Sequence, residues 1–174
     1  MSTQIGVIGG SQASLAALGD KADAVLSAAH QIGFLLAKQK IILITGGMDG
    51  VMQAACQGAK EGGGITVGTP GRNRKGSNEF VDVEICTPID VGDFLFAGLL
   101  SCDAIIILPG GPGTWAEIYM AYRLGIPMIV YTGFSQEFDR LAGTSFDESQ
   151  KVVFIGASTA EECISQAVKF LEKV

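Results

Sequence analysis

Short aliphatic runs alternate along this chain with longer segments of helical spacing. QIGVI (4–8), IILI (41–44), ITVG (65–68), AIIIL (104–108) and PMIVY (127–131) are apolar without polar alternation, the pattern of strands covered on both faces. Between them, 20–38, 49–61, 92–102 and 114–124 repeat apolar residues at helical intervals. A last unit pairs VVFI (152–155) with a helix whose N-cap signature is Ser158. Stretches 71–80 and 132–149 read as loops. The alternation predicts an α/β chain: a Rossmann-like, doubly wound, mostly parallel sheet with helices on both faces and right-handed crossovers. A length of 174 residues, with neither an internal repeat nor a linker, predicts one domain over 1–174.

Sheets of this kind bind ligands beyond the carboxyl ends of their strands, where the strand order reverses. Glycine collects there. The chain has 24 in 174 residues, about twice the usual share of ~7%. Three predicted strands run into Gly9-Gly10-Ser11, Gly46-Gly47-Met48 and Gly110-Gly111-Pro112-Gly113-Thr114. Helix first turns leave N–H groups without intrahelical partners and carry partial positive charge. Glycine lets an anion reach those groups with no Cβ in the way. One such turn would serve equally well as a plain connector, but three in one chain point to a nucleotide-like or phosphate-bearing ligand.

Two other clusters stand beside these turns. Thr114 and Glu117 have the T-x-x-E spacing of a capping box, which by itself accounts for the glutamate. Arg72, Arg74 and Lys75 follow the third strand. A charge cluster is usually a solvated turn, yet in an acidic chain three cations near a phosphate site suit closure over a multiply charged ligand.

The formal charge of −6 and pI of about 4.7 argue against nucleic acid and anionic membrane as partners. Cys56, Cys86, Cys102 and Cys163 lack CxxC spacing and read as reduced, mostly buried thiols. Neither a leader sequence nor a run of ~18 apolar residues is read, so a cytoplasmic location is expected. The single histidine, His30, lies in an apolar helical stretch and is expected to pack rather than react; zinc and Ser/His/Asp hydrolysis are thereby disfavoured. No GxxxxGK[ST] occurs. GPGTWA (111–116) satisfies G-x-G-x-x-A, but the next strand ends in Thr132 and Gly133 with no carboxylate for a ribose, so NAD is a poor candidate.

PGGPGTWAE (109–117), preceded by TGGMDGVM (45–52), resembles the signature of the LOG-like (lysine-decarboxylase-like) proteins, over Gly6 to about Val130. The resemblance implies a Rossmann-like homo-oligomer with a phosphate at Gly110, Gly111, Gly113 and Thr114. It makes Glu117 the candidate active carboxylate. The phosphoribohydrolases of this family also carry an arginine in M-x-x-R-K on the helix before the PGG strand. Here that position falls on or near Phe94, and no lysine or arginine occurs between Lys75 and Arg123. Breaking a glycosidic bond requires groups held ready for the developing charge. Losing one while keeping the cradle resembles the molybdenum cofactor carrier proteins, which bind the pterin-phosphate without acting on it.

The expectation is therefore a carrier of molybdenum cofactor or a related pterin-phosphate or nucleotide. Its implied assembly is a homo-oligomer, a tetramer in preference to a dimer, with molybdoenzymes as acceptors. The alternative is a phosphoribohydrolase acting on nucleoside 5'-monophosphates, with Glu117 catalytic and a partner subunit's Arg123 replacing the lost cation. Phe94, Phe96, Leu99 and Leu100 offer more apolar surface than one helix face buries, as an interface between subunits would.

Overall fold

The computed structural model describes residues 2–87 and 98–170. Seven parallel strands form one sheet in the order β4-β3-β2-β1-β5-β6-β7. They are β1 (Gln4–Ile8), β2 (Ile42–Thr45), β3 (Thr66–Gly68), β4 (Val83–Glu84), β5 (Ala104–Ile107), β6 (Met128–Tyr131) and β7 (Ile155–Ala157). The helices are α1 (Gln12–Leu15), α2 (Ala22–Lys38), α3 (Val51–Glu61), α4 (Pro112–Leu124), α5 (Gln136–Asp139) and α6 (Ala160–Val168).

The sheet is covered on both sides because its central strands are apolar on both faces, β5 at all four positions. Ala104, Ile106 and Leu108 pack with Ile5, Val7 and Leu43 against α2, α3 and α6. Ile105 and Ile107 face the other way, joining Ile8, Ile44 and Val130 beneath Ile118, Ala121 and Tyr122 of α4. Residues one apart on a strand point to opposite faces, so a single aliphatic run supplies both cores. On the first side, α2 and α3 approach so closely that a Cβ on Gly33 would lie 1.9 Å from the carbonyl oxygen of Ala55.

The chain lays β2, β3 and β4 on one side of β1, then returns to place β5 on the other. The order reverses between β1 and β5, whose registers pair Ile8 with Ile107. That is where a crevice opens in a doubly wound sheet, and the turns after β1, β2 and β5 converge there.

Several expected boundaries move. The last strand is Ile155–Ala157 rather than 152–155, because Val152 and Phe154 turn into the core beneath α4 and the Phe154 backbone bonds with Gly143 and Thr144 rather than with β6. The final helix is capped by Thr159, whose side chain accepts from the N–H of Glu162; Ser158 instead donates its N–H to the Glu162 carboxylate. The loop 132–149 contains α5, and β4 is a two-residue edge strand too short to leave a pattern in the sequence. The helix expected at 92–102 falls mostly outside the described residues, Phe94 and Phe96 included. Within its end, Leu99–Ser101 is a 3-10 turn that buries Leu99 and leaves Leu100 76% exposed. No helix among the described residues is long and apolar enough to cross a membrane.

Candidate ligand-binding site

Glycine at the switch point first permits crowding. Gly10 donates its N–H to the carbonyl of Pro109 (2.9 Å) and accepts from the N–H of Val51 (3.0 Å), tying together the turns after β1, β5 and β2. A Cβ on Gly9 would stand 2.7 Å from Val51 Cγ1, and one on Gly50, at φ +65°, 2.4 Å from the Gly10 carbonyl oxygen. A Cβ on Gly110 would meet Thr114 Oγ1 at 2.1 Å and the Gly10 nitrogen at 2.6 Å. These glycines are demanded by interlocking backbones.

Above them opens a cavity of about 340 Å³. Its lining brings together Gly9, Gly10, Ser11, Gly46, Met48, Gly111, Gly113, Thr114 and Glu117 of the residues singled out from sequence. Ser14, Asp49 and Met52 complete it. None of these last three carried a sequence signal of its own, although Asp49 stands inside the second glycine turn.

Helix α4 enters the cavity with its amino end uncapped. Gly111 is the N-cap, extended at φ −95° and ψ −160°, and makes no side-chain cap to the first turn. Pro112 holds the first helical position, where its missing N–H costs nothing. The expected Thr114–Glu117 capping box is therefore corrected: the helix starts at Pro112, so Thr114 lies inside the first turn and cannot cap it. Both side chains are buried, Glu117 at 7% exposure.

Gly113 differs from its neighbours. Its φ lies outside the left-handed region, and a Cβ added there would meet nothing within 4 Å. Neither strain nor crowding calls for glycine, so its bare face keeps the mouth of the helix open toward the cavity.

Other expected site residues lie elsewhere. Gly47 donates its N–H to Thr45 Oγ1 (3.0 Å) and does not line the cavity, so its amide serves the fold. Gly110 backs the cavity and lines a second, more open concavity with Gly111, Pro112, Trp115, Ala116, Tyr119 and Glu137. Arg72, Arg74 and Lys75 are exposed, and none lines the cavity. Their loop is pinned at its base by Glu84, which accepts from the N–H groups of Lys75 (2.6 Å) and Ser77 (3.0 Å). Those two donors hold the Glu84 carboxyl down at about 2.

The cavity's electrostatics thus rest on the main chain. Its lining includes the carboxylates Asp49 and Glu117 but no lysine or arginine. Asp49 Oδ1 accepts from the N–H of Gln12 at 3.1 Å, which joins the second turn to the first. No cluster of metal-ligating side chains occurs among the described residues. His30 is half-buried on α2, with Nε2 3.0 Å from Glu61 Oε2, remote in role from the cavity.

The family model of the SLOG cluster4 family matches residues 2–164. The chain belongs to that family. A relative from Archaeoglobus fulgidus, itself uncharacterized, is 37% identical over 123 residues, 70% of this chain and 75% of the relative. The fold is similar over its whole length to the Moco carrier protein of Chlamydomonas reinhardtii, with 28% identity, 100% of each chain covered and a TM-score of 0.83. The molybdenum cofactor binding protein of Rippkaea orientalis is similar at 29% identity, 98% of each chain and a TM-score of 0.78. The SLOG chain described here thus shares the architecture of proteins that carry this cofactor.

Proposed function

We propose that this chain binds and protects molybdenum cofactor, or a related pterin-phosphate or nucleotide, without converting it. The observation that carries the reading is the uncapped first turn of α4 above the cavity, with Gly113 leaving its approach clear. An anion there is stabilised by fixed N–H groups and the helix dipole and needs no side-chain cation. Full-length similarity to two cofactor-binding proteins supports the choice of ligand. Gly111, Gly113 and Thr114 would hold the terminal phosphate, with Ser11 and Met48 on the facing walls. The family's hydrolytic arginine has no counterpart in the sequence between Lys75 and Arg123, so the bound molecule meets no such group there.

The same reading makes the chain a cytoplasmic homo-oligomer, a tetramer in preference to a dimer, that passes its ligand to molybdoenzyme acceptors. Arg72, Arg74 and Lys75 would act as an outer guard on the approach rather than as cavity walls.

Cofactor released from a molybdoenzyme under exclusion of air is mixed with the protein and passed over a desalting column. Pterin fluorescence after deliberate oxidation should travel with the protein, and the protein should slow the cofactor's loss in air. Pterin that elutes with the small molecules and decays at its free rate overturns the carrier reading. Glu117, buried in the cavity wall, keeps nucleotide hydrolysis as the second reading.

A further inference from the structure

Asn78 grips the second glycine turn from outside the cavity. Its Nδ2 donates to the carbonyls of both Gly47 (3.0 Å) and Met48 (2.9 Å), and its backbone N–H donates to Gly47 as well (2.7 Å). The side chain is itself fixed, since its Oδ1 accepts from the N–H of Phe80 at 3.1 Å. Two consecutive carbonyls of one turn are thereby drawn to the same side.

A trans peptide points its N–H opposite to its C=O, and no peptide bond described here is cis. With the Gly47 and Met48 carbonyls aimed at Asn78, the N–H groups of Met48 and Asp49, which belong to the same two peptide planes, are aimed away from it. Met48 and Asp49 line the cavity, and Asn78 does not. The preceding peptide is set the other way, with the Gly47 N–H held by Thr45 Oγ1. The turn is thus locked at each of three successive peptides by side chains that never reach the ligand space.

We infer that Asn78 is a positioning residue that presents the consecutive N–H groups of Met48 and Asp49 to the anion, as a second donor pair opposite α4. Successive backbone N–H groups turned to one side form an anion-binding concavity. This inference rests on the binding function proposed above. It also gives the loop 71–80 a role different from that expected of its cations: it acts on the ligand through the turn, by way of an uncharged amide.

The test is a titration of 15N-labelled protein with inorganic phosphate, followed through backbone amide shifts, in the wild type and in Asn78→Asp. Aspartate keeps the acceptor for Phe80 but replaces the donor to the two carbonyls by an oxygen that repels them. In the wild type, Gly113, Thr114, Met48 and Asp49 amides should move downfield together with one affinity. In the variant, binding should weaken by roughly tenfold or more, the scale of a lost hydrogen bond to a charged group. Gly113 and Thr114 should still respond there, while Met48 and Asp49 respond little.

Silence at Gly113 and Thr114 in the wild type defeats the anion-cradle reading and this inference with it. Movement there without movement at Met48 and Asp49 defeats this inference alone, whether or not the variant folds. Wild-type affinity in a folded Asn78→Asp protein does the same.

Discussion

Gly110 lies so close to Gly10 that a methyl group on the former would stand 2.6 Å from the latter's amide nitrogen, inside any permissible contact. The turns after β5 and β1 are therefore joined backbone to backbone at the point where the strand order reverses. Gly110→Ala should destabilise the fold by about 3 kcal/mol, because the added methyl would meet Thr114 Oγ1 at 2.1 Å and also main-chain atoms of Gly10 and Gly9 that cannot swing aside. Urea unfolding checks this.

Gly113→Val should behave oppositely. Its side chain would enter open space, so the unfolding midpoint should stay close to that of the wild type apart from a helix-propensity change below about 1 kcal/mol. Ligand retention should fall sharply. Equal loss of stability in both variants would mean that the open face of Gly113 is no more than a packing detail.

The carrier reading predicts that AMP is left intact by the wild type. Chromatography of an overnight incubation should show no free adenine above a protein-free control. Adenine release that disappears in Glu117→Gln, with the fold retained, would place this buried carboxylate in the chemistry and favour the hydrolase.

Glu84 sets a pH limit on the loop that carries Asn78. Its carboxyl sits at about 2, held there chiefly by the N–H of Lys75 and then by Ser77, against an ordinary value of about 4.3. A depressed acid contributes its stabilisation fully above the unfolded value and loses it as the pH falls through the folded one. The Lys75 and Ser77 amide resonances should stay constant down to about pH 4 and then shift on approach to pH 2, the value at which Glu84 titrates. In Glu84→Gln the same resonances should show no such step.

The thiols should separate by accessibility. Burial pushes Cys102 and Cys163 up to about 12 and raises Cys56, while Cys86 is exposed. Iodoacetamide at pH 8 should label Cys86 in the native protein, with Cys56, Cys102 and Cys163 following only in denaturant. Peptide mass mapping reads the outcome.

The local sequence determined a great deal here. Uninterrupted aliphatic runs such as Ala104–Ile107 have no polar face to offer water, so they require cover on both sides and hence the layered parallel sheet. Paired glycines at the ends of three such runs marked the crevice. What local pattern could not decide was which glycine does what. Gly10, Gly110 and Gly113 look alike along the chain, yet two relieve backbone crowding from turns distant in sequence and the third faces open space.

The cap of α4 is not legible for a related reason: T-x-x-E describes spacing, whereas the helix start is set by Pro112 and the packing of Gly110 against Gly10. Asn78 had no motif at all. Its partners, the carbonyls of Gly47 and Met48, lie thirty-one and thirty residues away and meet it only because β3 lies beside β2. Periodicity and turn chemistry act between near neighbours and survive in the sequence. Steric contact and hydrogen bonding between distant segments exist only once the sheet has brought them together.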